Sequence, residues 1–320
     1  MARPSRILIA LAVVAVLLGG GLVTTGLLQG GPHGAAAANG GLGASTVTSP
    51  TDPVVGTCVT TTWGCTQEKR FAAARALIMK QPGQLGAVVR DRITGEVWQA
   101  GTPTHPTWTA STIKLAMATS LLERSRSGEI TLDAKAHRQI ADMLAFSSNE
   151  AADALWSRYG RAAMVDRFQT VYGMRGLTFV DGFDRYWGFM KCTARDLAAL
   201  MSYVLDTLDE GDRLYLIGAM RAVESIQQWG VWAAGKALHP GVKDGWSVEK
   251  DPGATGALEE HWVTNTVGFA GDGERYVVAV MYHLPPRTGT IKAGVHAVSD
   301  VVATVFGQPV PAPAVVPDRD

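Results

Sequence analysis

Residues 111–114 of this 320-residue chain read Ser-Thr-Ile-Lys, at the head of an apolar run with helical spacing. In a helix, position i+3 lies almost above position i, which brings the Lys114 amine beside the Ser111 hydroxyl. A neutral amine placed there is a base for a serine nucleophile, and its neutrality requires burial or a neighbouring cation. The free N–H groups at the helix start add positive potential where an oxyanion would develop. The plainer alternative is that Ser111 caps the helix. A second copy of the pattern, Ser247-Val248-Glu249-Lys250, is followed by Asp-Pro-Gly, so no helix holds that serine and lysine on one face.

Two further clusters lie downstream. Ser147-Ser148-Asn149 precedes the helical run from Glu150, and Ser147-x-x-Glu150 by itself reads as a capping box. Lys243-Asp244-Gly245-Trp246 falls on an expected strand, whereas the competing Lys292-Ala293-Gly294 sits at the mouth of the last helix. Searches for a G-x-S-x-G elbow, an H-E-x-x-H zinc helix, a P-loop and a dinucleotide fingerprint find nothing, and the seven histidines include no i, i+4 pair. The sequence therefore implies no metal and no organic cofactor.

The elements that must carry these residues follow from periodicity. Residues 66–81 place Phe71, Ala74, Leu77 and Ile78 at helical spacing, ended by Pro82-Gly83. Residues 85–90 and 97–100 read as a hairpin around Thr94-Gly95. Residues 112–208 are a helical block, including helices over 113–123 and 195–208, the second opened by a Thr193-x-x-Asp196 capping box. Strand character returns at 242–247, 262–270 and 276–284, with Gly271-Asp272-Gly273 as a turn, and 292–306 closes as a helix. This order predicts an α+β fold: a five-stranded antiparallel sheet flanked by the N- and C-terminal helices, with an inserted all-helical lobe. There is no internal repeat.

Composition bounds the rest. Basic and acidic residues number 29 each, and residues 51–320 carry two more acids than bases, without a basic run. A nucleic-acid partner is excluded on that balance. Residues 7–28 are uncharged and mostly apolar behind Arg3 and Arg6, long enough to span a bilayer, so residues 1–29 are expected to be an N-terminal membrane anchor or a cleaved signal, leaving the remainder extracytoplasmic. No Cys closely follows the apolar run, which argues against a lipid anchor. Residues 30–57, rich in Gly, Ala, Ser, Thr and Pro, read as a flexible linker, and 308–320 as a Pro-rich tail, which leaves 58–307 as the folded domain. Cys58 and Cys65 are expected to pair in an oxidising compartment, with Cys192 left as a buried, inert thiol.

Together, S-x-x-K at 111–114, S-x-N at 147–149 and K-x-G at 243–245 make the chain resemble the class A β-lactamase and penicillin-binding protein superfamily of serine hydrolases, over residues 66–306. The resemblance implies Ser111 as nucleophile, Lys114 as its partner and Ser147 as proton shuttle to the leaving nitrogen. It implies Asn149 and Lys243 to Trp246 as substrate-binding walls, and the N–H groups of Ser111 and Trp246 as the oxyanion hole. The substrate would be a β-lactam or a cell-wall peptide-like amide. Three departures accompany the match. Ser111 and Ser147 are only 36 residues apart, so the helical lobe is trimmed. The stretch 177–192 holds no Glu or Asn, leaving Asp181 and Asp184 as the candidate deacylation bases, while its aromatics Phe179, Phe183, Tyr186, Trp187 and Phe189 are expected to pin the loop. Asp244 stands where the family places a hydroxyl, and in the cleft it would repel an anionic ligand by about 4 kcal/mol. The expected function is thus a slowly deacylating hydrolase of an amide or lactam carbonyl, with a membrane-tethered, non-catalytic binding or scaffolding module of the same fold as the alternative.

Overall fold

A computed structural model describes residues 62–183, 185–252 and 256–318. The expected anchor, the linker, Cys58 and Asp184 lie outside the described residues. Among those described, no helix is long and apolar enough to cross a membrane.

Helix α1 (Gly64–Lys80) leads into the hairpin β1 (Gln84–Asp91) and β2 (Val97–Gly101). A two-residue strand, β3 (Thr107–Trp108), and a 3-10 turn (Ala110–Thr112) then deliver the chain to α2 (Ile113–Arg126). The lobe continues through α3 (Ala134–Ala145), α4 (Asn149–Tyr159) and α5 (Ala163–Thr170), and crosses the short strands β4 (Thr178–Phe179) and β5 (Met190–Cys192). It ends with α6 (Ala194–Asp206) and α7 (Glu210–Arg221). Three strands follow, β6 (Gly241–Pro252), β7 (Leu258–Ala270) and β8 (Tyr276–His283), before α8 (Ile291–Phe306). The large sheet is antiparallel in the order β2-β1-β8-β7-β6, and a small one runs β3-β5-β4. The expected α+β fold, five-stranded sheet and helical insertion are all present.

The period of two along the strands divides the interior into two cores. Val277, Ala279 and Met281 of β8 pack with the helical lobe, while Val278, Val280 and Tyr282 pack with α1 and α8. Burial on both faces explains why β8 reads as an unbroken apolar run. Helix α8 approaches β7 closely at Gly294, where a Cβ would come within 2.5 Å of the Thr264 hydroxyl. The Thr193–Asp196 capping box opens α6 as its sequence predicts. Cys192 is free and buried 3.9 Å from the Met281 sulfur, and burial pushes its thiol well up. The segment expected to be a loose tail lies against α8: Ala312 is buried and its N–H donates to Asp300 at 2.7 Å.

Candidate active site

Ser111 lies in the 3-10 turn ahead of α2, behind Ala110, whose φ of 45° is a left-handed conformation for a residue with a Cβ. Such strain persists only where the surroundings enforce it. Here the Asn265 amide of β7 donates to the Trp108 carbonyl at 2.8 Å and ties this turn to the sheet. Strand β6 presses on the turn beside it, where Gly245 pairs with Asn265. A Cβ on Gly245 would lie 2.8 Å from the Ser111 nitrogen and 2.7 Å from that of Thr112, so only glycine permits this approach. No side chain caps either the turn or α2, so Ser111 does not serve as a cap.

Lys114, one turn further on, is completely buried. Its ammonium donates to the Ser147 carbonyl at 2.5 Å and the Asn149 side-chain oxygen at 2.7 Å, with the Ser147 hydroxyl at 3.4 Å. Its charge also lies 4.8 Å from the Trp187 ring. Ser147 has φ 60°, and Ser148, not Ser147, caps α4 by accepting from the Ala151 N–H at 3.1 Å. The capping-box reading of Ser147 is therefore corrected. Freed from the helix end, its hydroxyl meets Lys243 at 3.0 Å.

Lys243 reaches that hydroxyl from β6, and it also donates to the Gln227 side-chain oxygen at 2.5 Å and the Asp244 carbonyl at 2.8 Å. Gln227 is held by the Leu144 and Ala145 carbonyls at the end of α3, at 2.5 and 2.8 Å. Burial pushes Lys243 well below the ordinary lysine range, and the nearby Lys114 charge pushes the same way against Asp244. Two amines around one buried hydroxyl thus favour a state in which one of them is neutral, as base chemistry requires.

Asp244 is corrected as a cleft residue. It follows Lys243 on a strand, so its side chain takes the opposite face, across from Thr266 and beneath the 3-10 segment Gly230–Ala234. It is fully buried, and burial pushes its carboxyl well up, over the opposing pulls of Thr266, Lys243 and the Trp229 backbone. The repulsion expected of an ionised Asp244 is absent from the substrate side. Lys292 is exposed on α8, away from these groups.

The cleft has a volume of about 390 Å³, with Ser111, Ser147 and Asn149 at one end. Its walls include Tyr186, Trp187 and Phe189 from the loop before β5, and Trp246, Ser247, Glu249 and Trp262 from β6 and β7. The loop aromatics both pin and line. Trp187 donates to Asp153 at 2.7 Å and the Trp156 indole to the Arg185 carbonyl at 3.0 Å, while three of the expected pinning rings face the cavity. Asp181 is exposed in the turn after β4 and is not part of the cleft wall. Sequence reasoning missed Gln227, Trp262 and Glu249. The expected strand stopped at Ser247, whereas β6 runs to Pro252, and extending its alternation from Lys243 would have placed Glu249 on the cleft side. Among the described residues, no group of three His, Cys, Asp or Glu is placed to hold a metal.

Comparison with known proteins bears on the fold that carries this site. The Beta-lactamase enzyme family model matches residues 69–142, a stretch that contains Ser111 and Lys114. The fold overlays a β-lactamase from Burkholderia vietnamiensis with a TM-score of 0.58 at 20% identity, covering 76% of this chain and 96% of that one. It overlays the class A β-lactamase of Mycobacterium abscessus equally well at 16% identity, over 74% of this chain and 98% of that one. The chain has the β-lactamase/transpeptidase-like fold. The superfamily resemblance read from three short motifs therefore holds. Among curated relatives, the "Putative lipoprotein LppW" of Mycobacterium tuberculosis is 27% identical over 231 residues, 69% of each chain, as is its counterpart in Mycobacterium bovis.

Proposed function

We propose that this β-lactamase-like protein is an extracytoplasmic serine hydrolase or acyl-transferase, acting on an amide or lactam carbonyl through an acyl-Ser111 intermediate. The observation that carries the reading is the Ser147 hydroxyl held between two fully buried lysines at the end of the cleft that Ser111 lines. A neutral amine of that pair takes the Ser111 proton as its oxygen attacks the carbonyl, and the Ser147 hydroxyl relays a proton to the departing nitrogen. The Ser111 N–H, with that of Trp246 beyond Gly245, supplies donors for the oxyanion. Asn149, whose amide oxygen accepts from Lys114, keeps its NH₂ group for the substrate carbonyl.

Deacylation is slow in this reading, because the stretch 177–192 holds no Glu and, among the described residues, Asp181 stands outside the cleft wall and the lining carboxylate Glu249 sits far along β6. The non-catalytic alternative rested on Asp244 and on the trimmed helical lobe, and the position of Asp244 on the far sheet face removes the first of these motives. The name of the mycobacterial relative supports an envelope location, and the apolar stretch 7–28 supports an anchor ahead of a folded domain at 58–307. Intact mass after incubation with a saturating penicillin tests the chemistry. An adduct of one drug mass that persists for minutes or longer, and is lost in Ser111→Ala, is expected. Unmodified protein, or an adduct unchanged by that substitution, overturns the proposal.

A further inference from the structure

The cleft wall is uneven in charge. Lys114 and Lys243 lie sealed behind Ser147, so the single carboxylate, lysine, arginine or histidine lining the cavity among the described residues is Glu249, on the face of β6 turned towards the loop rings of Tyr186, Trp187 and Phe189, with Trp246 and Trp262 lining the same cavity from the other face of the sheet. Two residues further along the same face, Asp251 is already engaged, accepting from Lys191 at 2.5 Å and from the Trp108 indole at 2.9 Å. Glu249 has no ion-pair partner among the described residues. A carboxylate and several aromatic faces around one cavity are the chemistry that recognises a cation.

Distance decides what Glu249 does there. Gly245 abuts Ser111, and four residues of extended strand separate Gly245 from Glu249, about 13 Å at ~3.3 Å per residue. Even with its side chain turned back, the carboxylate stands on the order of 10 Å from the nucleophile, too far for a base that must reach an attacking water at ~3 Å. We infer that Glu249 forms a cation-binding subsite, and that the acyl donor carries an amine on an apolar arm about 10 Å from the carbonyl that Ser111 attacks. This deepens the acyl-serine reading and rests on it for the position of that carbonyl.

Several groups face Glu249 and set its charge. Burial pushes its carboxyl up to about 7; Ser247 opposes the shift, Asp251 adds to it, and Lys191 of β5 opposes it. His261 stands opposite on β7, with Glu259 beyond it paired to Arg287, and Tyr186 completes the rim. A bound ammonium favours the ionised form, so affinity for a cation rises with pH through neutrality.

The test uses the full chain with Ser111→Ala, so that binding is measured without chemistry. The probes are 8-aminooctanoyl anilide, its neutral N-acetyl derivative and its anionic N-succinyl derivative, titrated by calorimetry and by quenching of the cleft tryptophans. At pH 8 the amine is expected to bind about tenfold tighter than the neutral probe and the succinate weaker still. The preference should vanish at pH 5.5 and in Ser111→Ala/Glu249→Gln, whose amide mimics the protonated acid. Equal affinities at pH 8, a preference that survives Glu249→Gln, or no binding by any probe at millimolar concentration overturns the subsite. Penicillin acylation without a charge preference would remove this inference alone, whereas a charge preference without acylation would remove the catalytic reading and leave the subsite.

Discussion

Ser147 and Glu249 owe their chemistry to opposite kinds of surroundings. Ser147 is buried and its hydroxyl has two amine partners, whereas Glu249 is partly shielded from water and has no paired cation among the described residues. The Glu249 carboxyl, ordinarily near 4.5, is pushed to about 7, so over that interval the folded state binds more protons than the unfolded state. Stability attributable to this group is greatest below pH 4.5 and declines as pH rises to 7. Glu249→Gln removes the penalty, and in urea melts the variant should gain about 1–3 kcal/mol over the parent at pH 8 and close to nothing at pH 4.5. An equal effect at both pH values would show that the carboxyl is not perturbed. His283 adds a dependence of opposite sign. Burial, together with His261, holds it down to about 4 against the pull of Asp251, so stability is lost as pH falls from about 6.5 towards 4. His283→Gln should flatten the acid limb of a plot of Tm against pH.

Strand β6 is the element on which the site turns. Its alternation sends Lys243, Ser247, Glu249 and Asp251 towards the lobe and the cleft, and Asp244 towards the terminal helices. Its glycine allows the backbone to lie against the turn that bears Ser111. Gly245→Ala introduces a Cβ that must push β6 or the turn aside by several tenths of an ångström. The expected result is a protein that folds with a modest loss in Tm but is acylated about 100-fold more slowly, as measured by the second-order rate of adduct formation. Acylation at the parental rate would mean that this contact does not position the nucleophile. The motif Lys-x-Gly was legible in the sequence, but the face of its middle residue was not, because assigning a face requires knowing which side of a doubly covered sheet holds the site.

Across the whole molecule, sequence distance and spatial distance diverge most at the two ends. The hairpin near the N-terminal side of the domain pairs with β8, as in Gly86 opposite Met281, so the sheet closes only after the helical lobe has been inserted. The segment after Gly307 reads as Pro-rich and linker-like, yet Ala312 is buried and Ala314 and Val316 pack partly against the core under α8. Burial of these three side chains and the bond to Asp300 contribute about 2 kcal/mol. Truncation after Gln308 should therefore lower Tm by about 4–8 °C while leaving acylation of Ser111 intact. A Tm unchanged by truncation would return the tail to the status of a linker.

Local pattern was sufficient wherever one element carries the information. The one-turn spacing of Ser111 and Lys114, the capping box at Thr193, the apolar stripe of α1 and the alternating strands are all properties of a few neighbouring residues, and periodicity reports them directly. Tertiary structure alone decided what depends on the meeting of distant segments. It set Ser147 between Lys114 and Lys243, brought Gln227 behind them, turned Asp244 out of the cleft and left Glu249 within it. Burial and field are sums over all neighbours, and Ser147, Asn149 and Lys243 come to Lys114 from 33, 35 and 129 residues away.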